Sequence, residues 1–189
     1  MRGSVAVRHG AGRKGVGPSA TVRKNCLRCA RFRKKEKQML KIGDKMPSFE
    51  LRDQDGNTVR SEDLIGKGKK TVVYFYPKDH TSGCTAEACS IRDHYDALTE
   101  AGYQVVGVSK DSEKSHEGFA AKYALPFTLL ADTARTMHEA FGAVGEKKMY
   151  GKTFIGTLRR TFIFDENGLL ERVIEKVDTK EAARQILEG

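Results

Sequence analysis

The sequence predicts a single α/β domain in which helices flank a central mixed β-sheet. Continuous runs of β-branched and aromatic residues, typical of buried parallel strands, alternate along the chain with segments whose apolar residues recur at helical spacing. Near the end of the chain, the turn of Glu166, Asn167 and Gly168 separates two further strand-like runs and indicates a β-hairpin. Together these patterns favour one layered domain.

The individual elements follow in chain order. The predicted strands are residues 48–52, 71–76, 104–109, 127–130, 160–165 and 169–176. The predicted helices are one that opens at Cys84 and continues to Leu98, then residues 112–123, 136–141 and 179–188, the last of them capped by Asp178. Strands that alternate with helices and end in a hairpin and a helix predict a thioredoxin-like fold.

Charge divides the chain at residue 38. Residues 1–38 hold 12 of the 34 Lys and Arg residues but only one of the 25 acidic residues, whereas the remainder is nearly neutral. The basic segment has little apolar periodicity, so residues 1–38 are predicted to be a disordered extension. Residues 39–189 are predicted to form the folded domain, which is long enough to bury one substantial core.

The extension is open to three explanations. Met39 stands directly before the folded domain, so the extension could lie upstream of the true translation start; it could also be a transit peptide or an arm that binds nucleic acid. It contains no apolar run suited to a secretory signal or a membrane span. We therefore expect a cytoplasmic protein, or an organelle-targeted one if the transit peptide is real, with no membrane or nucleic-acid partner. The single C-x-x-C pair of Cys26 and Cys29 is left unassigned.

Cys84 lies where a predicted strand gives way to a helix. Pro77 ends the strand, and the polar residues up to Gly83 form a loop. In the first turn of a helix, unpaired backbone amides and the positive end of the helix dipole favour an anion, and a thiolate is the anion that Cys84 can supply. The sequence therefore predicts a reactive thiol at this position.

The residues around Cys84 form a specific motif. Pro77, Thr81 and Cys84 stand in the pattern P-x-x-x-T-x-x-C within the stretch YPKDHTSGCTAEAC. This pattern resembles the peroxiredoxins, thiol peroxidases that reduce hydroperoxides, and residues 85–89 look like their bacterioferritin-comigratory, or Q-type, branch. The likeness extends from Met39 to the TFIFDENG segment. Ser82 is a departure, since proline is common there in that branch.

The resemblance implies the roles of the motif residues. Cys84 would attack one oxygen of a hydroperoxide and become a sulfenic acid, without a cofactor or a metal. Developing negative charge on the oxygens needs hydrogen-bond donors, and the Thr81 hydroxyl and the amides near Gly83 and Cys84 are the candidates. Pro77 completes the motif at the start of the loop.

An arginine beside the thiolate is also implied by the resemblance. The family places it shortly before a T-F-x-I/F strand, which points to Arg159 in GTLRRTFIF, with Arg160 as the rival. Because side chains alternate along a strand, the two arginines lie on opposite faces and only one can serve. Arg159 is favoured because its position relative to Thr161 matches the family motif.

Cys89 lies five residues after Cys84 on the same predicted helix. That spacing separates the two Cα atoms by about 8.6 Å, whereas a disulfide needs about 4.4–6.8 Å. If the two cysteines pair, the first turns of the helix must unwind in each catalytic cycle. The resemblance implies that Cys89 is the resolving cysteine of an atypical 2-Cys peroxiredoxin, a monomer or weak dimer whose disulfide is reduced by thioredoxin or a similar dithiol.

Other polar residues and other functions fit the pattern less well. Glu87 is expected to be a surface or early-helix residue that complements the helix dipole, and His80 is given no catalytic role. A thiol-disulfide oxidoreductase of the same fold would normally carry two cysteines separated by two residues, and a nucleic-acid-binding protein would use the basic extension. Neither alternative accounts for Pro77, Thr81, Cys84 and Arg159 together.

Overall fold

A computed structural model of the chain describes residues 39–149 and 152–188. The predicted basic extension, with Cys26 and Cys29, lies outside these residues. The strands are β1 (Glu50–Asp53), β2 (Thr58–Arg60), β3 (Lys70–Phe75), β4 (Tyr103–Ser109), β5 (Thr128–Ala131), β6 (Val144–Met149), β7 (Lys152–Thr157), β8 (Arg160–Phe164) and β9 (Leu170–Ile174). The helices are α1 (Ser82–Asp93), α2 (Tyr95–Glu100), α3 (Glu113–Tyr123), α4 (Thr136–Ala140) and α5 (Ala182–Leu187), with a 3-10 turn at Ser61–Leu64.

Seven of these strands form one mixed sheet in the order β2-β1-β5-β4-β3-β8-β9. Strands β3, β4 and β5 are parallel; β1 and β8 pair antiparallel to β5 and β3, and β2 and β9 pair antiparallel to β1 and β8. The predicted mixed sheet flanked by helices is therefore confirmed. Strands β6 and β7 form a separate antiparallel hairpin.

The core divides into two layers because β3 alternates its side chains between the faces of the sheet. Val72 and Tyr74 contribute to the layer beneath α1, α2, α3 and α5, whereas Val73 and Phe75 contribute to the layer beneath α4. All four side chains are buried, as the continuous apolar run predicts for a central strand. The strand bearing the candidate site is thus held from both sides.

Strand β3 also determines where the candidate site lies. Its carboxyl end leads through residues 76–81, hereafter the 76–81 loop, into α1. Because β8 runs antiparallel to β3, the end of β3 is beside the start of β8, and Phe75 pairs with Arg160. Residues just before β8 therefore lie at the same end of the sheet as the 76–81 loop.

The structure differs from the sequence-based elements in several places. The predicted helix from Cys84 to Leu98 is broken at His94 into α1 and α2, and the last helix begins at Ala182 rather than at residue 179. Asp178 therefore caps no helix; its carboxylate instead accepts a hydrogen bond from the Lys180 amide at 3.0 Å. Strand β2, the 3-10 turn and the β6–β7 hairpin were not predicted. The hairpin strands carry glycines and lysines in place of an apolar run, so they give little periodic signal.

Among the helices of the described residues, none has the length and apolar character needed to cross a bilayer.

Candidate active site

Cys84 is the third residue of α1 and only 1% exposed. Thr81 occupies the N-cap position with an extended backbone, φ −85° and ψ 148°. The first amides of an α-helix have no carbonyl partner within that helix. Cys84 therefore lies where backbone N–H groups and the helix dipole both favour negative charge on its sulfur.

Arg159 is the side chain that reaches Cys84. Its Nη2 donates a hydrogen bond to the Cys84 Sγ at 3.2 Å. The neighbouring Arg160 extends elsewhere, with its Nη1 donating to the Gly142 carbonyl at 2.8 Å. The structure thus brings Arg159 to the cysteine. Because side chains alternate along the chain here, Arg160 faces the other way.

Glu87 is a correction to the sequence analysis, which placed it on the surface. It is fully buried, and its Oε2 accepts a hydrogen bond from Nη1 of the same Arg159 guanidinium. Burial raises the pKa of Glu87 to about 7, and the opposing effect of the Arg159 charge only partly offsets it. Its other oxygen, Oε1, has no hydrogen-bond partner within residues 39–149 and 152–188.

A signal for Glu87 was present in the sequence. It lies three positions after Cys84, so the two side chains share one face of the helix. Cys84, Ala88 and Ile91 mark that face as buried. An ionisable residue on a buried helical stripe is a functional-site signal, because burial shifts its pKa and requires a partner.

The unpredicted hairpin brings a second cation to the site. Lys147 of β6 is half-buried. Burial and the nearby positive charge of Arg159 both lower the pKa of Lys147, whereas the Cys84 sulfur raises it. Lys147 thus belongs to the electrostatic environment of Cys84. Nothing in the local sequence around Lys147 connects it to the motif.

Pro77 and Thr81 lie at the two ends of the connection between β3 and α1. Pro77 is half-buried and directly follows Tyr76. The Tyr76 amide, the last one to pair with β4, donates to the Val108 carbonyl at 3.1 Å. The Thr81 hydroxyl donates to the Lys78 carbonyl at 3.0 Å. Its proton is therefore committed to the backbone, and its lone pairs are the part that can receive a hydrogen bond.

Cys89 lies on α1 with Cys84, and both thiols are free. Cys84 is buried and Cys89 is half-buried. Because both belong to one continuous helix, ideal geometry separates their Cα atoms by about 8.6 Å. The structure therefore represents the reduced form of the pair.

Other candidate groups near the site are structural or remote. His80 packs its ring edge-on against Phe119, with 5.2 Å between the ring centroids. In the part of the chain that the structure describes, no group of three or more His, Cys, Asp or Glu side chains is arranged to hold a metal ion.

Comparison with known proteins identifies relatives across most of the chain. The sequence model of the AhpC/TSA family matches residues 42–173. Peroxiredoxin Bcp of Bacillus subtilis is 42% identical over 149 residues, covering 79% of this chain and 94% of that protein. Peroxiredoxin Bcp of Escherichia coli is 44% identical over 140 residues, covering 74% of this chain and 88% of that protein.

A solved structure shows the same arrangement of the chain. The bacterioferritin comigratory protein of Xanthomonas campestris, studied for its alkyl peroxide reduction activity, superposes with a TM-score of 0.69 at 34% identity. The match covers 74% of this chain and 88% of that one.

Proposed function

Since this chain belongs to the AhpC/TSA family and is a thiol peroxidase of the peroxiredoxin type, we propose that Cys84 is its peroxidatic residue and Cys89 its resolving residue. The observation that carries the proposal is the hydrogen bond from Arg159 to the Cys84 sulfur at the start of α1. It places a cation and a helix terminus around one thiol.

The first step is an in-line displacement at oxygen. The Cys84 thiolate attacks the terminal oxygen of a hydroperoxide R–O–O–H, the S–O bond forms and the O–O bond breaks. The sulfur is oxidised to a sulfenic acid and the peroxide is reduced by the same two electrons. The departing oxygen takes up a proton and leaves as water or an alcohol.

Two kinds of group stabilise the negative charge in this step, and a third aligns the peroxide. Arg159 donates to the sulfur in the ground state and is positioned to follow negative charge as it moves to the oxygens. The amides of the first turn of α1 add fixed donors. The Thr81 oxygen, whose proton is used by Lys78, can accept the peroxide O–H and so align the peroxide for attack.

The second step converts the Cys84 sulfenic acid into a disulfide, which a dithiol can reduce. The Cys89 thiolate attacks the Cys84 sulfur, a disulfide forms, and the hydroxyl of the sulfenic acid leaves as water once protonated. Because the two cysteines are five residues apart on α1, the helix must open to bring their sulfurs into bonding distance.

Peroxiredoxins act on peroxides and take their electrons from a thioredoxin-type dithiol, and this chain does so as a member of that group. We assign thioredoxin itself as the reductant of the Cys84–Cys89 disulfide. The alkyl peroxide reduction of the Xanthomonas campestris relative supports organic hydroperoxides as substrates beside hydrogen peroxide.

Mass spectrometry of the protein after one equivalent of hydrogen peroxide tests the proposal. The wild-type chain is expected to lose two hydrogens and give a peptide linking Cys84 to Cys89. Cys84→Ser should show no peroxide-dependent change, whereas Cys89→Ser should gain one oxygen at Cys84 and fail to turn over with thioredoxin.

Two results would contradict parts of this assignment. Full peroxidase activity in Cys84→Ser would exclude Cys84 as the peroxidatic residue. Normal thioredoxin-dependent turnover in Cys89→Ser would remove only the resolving role of Cys89.

A further inference from the structure

A second cluster of buried polar side chains lies behind the 76–81 loop. At its centre is Asp79, which is 3% exposed although it belongs to a loop. Its Oδ1 accepts a hydrogen bond from the Tyr76 hydroxyl at 2.8 Å, and its Oδ2 accepts from the Ser115 hydroxyl at 2.6 Å and from the His116 Nδ1 at 2.9 Å. We refer to these four residues as the Asp79 cluster.

The cluster is suited to a carboxylate and to no other side chain of that size. Three donors converge on Asp79, and an ionised carboxylate is an acceptor only. Burial alone would raise the pKa of Asp79, but the hydrogen bonds from His116 and Ser115 outweigh it and the pKa is lowered. Asparagine, which is isosteric, would turn an N–H group toward at least one of these donors.

His116 completes the cluster. Its Nδ1 faces the Asp79 carboxylate, and its Nε2 lies 3.2 Å from the Leu130 carbonyl. Both ring nitrogens thus face oxygen atoms, and Nδ1 is the nitrogen placed to donate to the Asp79 carboxylate. Both side chains of the pair are almost completely removed from solvent, and breaking such a pair from one side is costly.

The cluster fixes the 76–81 loop to parts of the fold other than α1. Ser115 and His116 belong to α3, and the backbone amide of Asp79 donates to the Asp111 carboxylate at 2.8 Å. Asp79 is two residues from Thr81, so the position of the N-cap of α1 depends on this attachment. None of these contacts involves a residue of α1, so unwinding of α1 does not require any of them to break.

We propose that Asp79, paired with His116, is a positioning residue for the peroxidase reaction. It holds the 76–81 loop in place while α1 opens and closes, so that Thr81 and the first amides of α1 return to the same geometry around Cys84 in each cycle. This rests on the proposed function of Cys84. The pair acts on the peroxide through Thr81 and does not touch the substrate.

If Asp79 has a positioning role, its loss should affect two reactions of the Cys84 thiol to different extents. Attack on a peroxide needs the aligned donors of the loop and the helix start, whereas alkylation by iodoacetamide needs chiefly the thiolate that Arg159 holds. Loss of alignment should therefore slow the peroxide reaction much more than the alkylation.

Asp132 provides a matched control elsewhere in the fold. Its Oδ2 accepts from the amide and the Nδ1 of His138, at 2.8 and 2.7 Å, and both side chains are fully buried. This pair lies near Phe75, in the core layer on the other face of the sheet from Cys84. Asp132→Asn thus breaks a second buried Asp–His pair, whose hydrogen-bond partners lie outside the 76–81 loop.

The test measures single-turnover oxidation of Cys84 by hydrogen peroxide and its alkylation by iodoacetamide at pH 7, with thermal unfolding as a check on folding. Asp79→Asn should slow oxidation by about ten-fold or more while alkylation changes by less than about three-fold. Ser115→Ala, which removes one of three donors, should show a smaller loss of the same kind and serves if Asp79→Asn does not fold. Asp132→Asn should lose stability but keep both rates.

Oxidation at the wild-type rate in folded Asp79→Asn, or in Ser115→Ala where Asp79→Asn does not fold, would overturn the positioning role. So would oxidation and alkylation rates that fall together. Failure of the wild-type protein to oxidise at Cys84 would instead contradict the proposed function. The two failures can be told apart because alkylation of Cys84 is measured without peroxide.

Discussion

Arg159 and Cys84 are 75 positions apart in the chain, yet the guanidinium Nη2 lies 3.2 Å from the thiol sulfur. The same guanidinium pairs through Nη1 with the buried Glu87. One arginine therefore serves two groups on one face of α1, the sulfur that reacts and a carboxylate one turn later. The chemistry of the site depends on how the charge of Arg159 is shared between them.

Replacement of Arg159 by lysine is expected to lower the rate constant for peroxide by about 100-fold, because an ammonium group cannot bridge Cys84 and Glu87 as a planar fork does. Stopped-flow oxidation of Cys84 measures this rate. Arg160→Lys is the matched control, since Arg160 bonds to the Gly142 carbonyl and Glu175 instead. Equal losses in the two variants would contradict the distinct placement of the arginines.

Glu87 should make stability depend on pH. Its pKa is raised from 4.5 to about 7 by burial, so the folded chain keeps a proton that the unfolded chain has lost. The contribution of Glu87 to the free energy of unfolding is complete below pH 4.5 and is lost as the pH rises through 7. The loss is on the order of 3 kcal/mol in total. Glu87→Gln should therefore lose less stability than the wild type between pH 5 and pH 8.

Urea unfolding at several pH values measures the effect on Glu87. Glu175→Gln is the matched control, because Glu175 also pairs with an arginine but its side chain is 55% exposed. It should retain the wild-type pH dependence. The same loss of stability with rising pH in Glu87→Gln as in the wild type would show that another group is responsible.

Gly83→Ala should slow disulfide formation. A Cβ at this position would meet only Arg159 Nη2 at 3.5 Å and Thr179 Cγ2 at 3.9 Å, which are ordinary contacts. Alanine stabilises a helix by up to about 1 kcal/mol relative to glycine, so opening of α1 would become up to about five-fold rarer. The rate at which the sulfenic acid converts to the disulfide should fall accordingly.

The control for Gly83 is Gly118→Ala in α3. A Cβ there meets nothing within 4 Å, so the substitution should stabilise a helix that contains neither cysteine and does not have to open for the disulfide to form. Quenched-flow measurements of disulfide formation compare the two variants. A rate that is unchanged in Gly83→Ala would mean that opening of α1 does not limit the second step.

Oxidation should change hydrogen exchange in one part of the chain only. If Cys84 and Cys89 join, the amides of the first turns of α1 lose their hydrogen bonds and should exchange faster in the disulfide form. Peptides that cover α3 and the Asp79 amide, which is bonded to Asp111, should keep their protection. Exchange–mass spectrometry of the reduced and oxidised proteins distinguishes this from protection that is retained throughout α1.

Much of the fold could be predicted from local patterns. The apolar run of β3, the helical spacing after Cys84 and the turn between β8 and β9 are all short-range features, and the structure contains each of them. The β6–β7 hairpin could not be predicted in this way, because its strands lack a buried face of their own within the main sheet. The family and the thiol peroxidase activity implied by the motif are confirmed by the relatives.

The candidate site was only partly accessible from sequence. The roles of Cys84, Thr81 and Cys89 were predicted from the resemblance of their spacing to the peroxiredoxin motif, and those roles stay predictions. Burial is a property of the folded chain, and the expectation for Glu87 was wrong because it treated a polar residue near a helix start as exposed. The Asp79 cluster was missed for a related reason, since three of its four residues come from positions that look like ordinary loop and surface sites.

By itself, the sequence determined that a strand, a loop and a helix follow one another and that a cysteine lies in the first turn of the helix, because these features depend on neighbours within a few residues. Only the tertiary structure decided which charges meet that cysteine. The antiparallel pairing of β8 with β3 brings Arg159 to the end of the sheet where α1 begins. Burial of α1 against the core then encloses Glu87 with it, and pairing over such distances in the chain is set by packing of the whole domain.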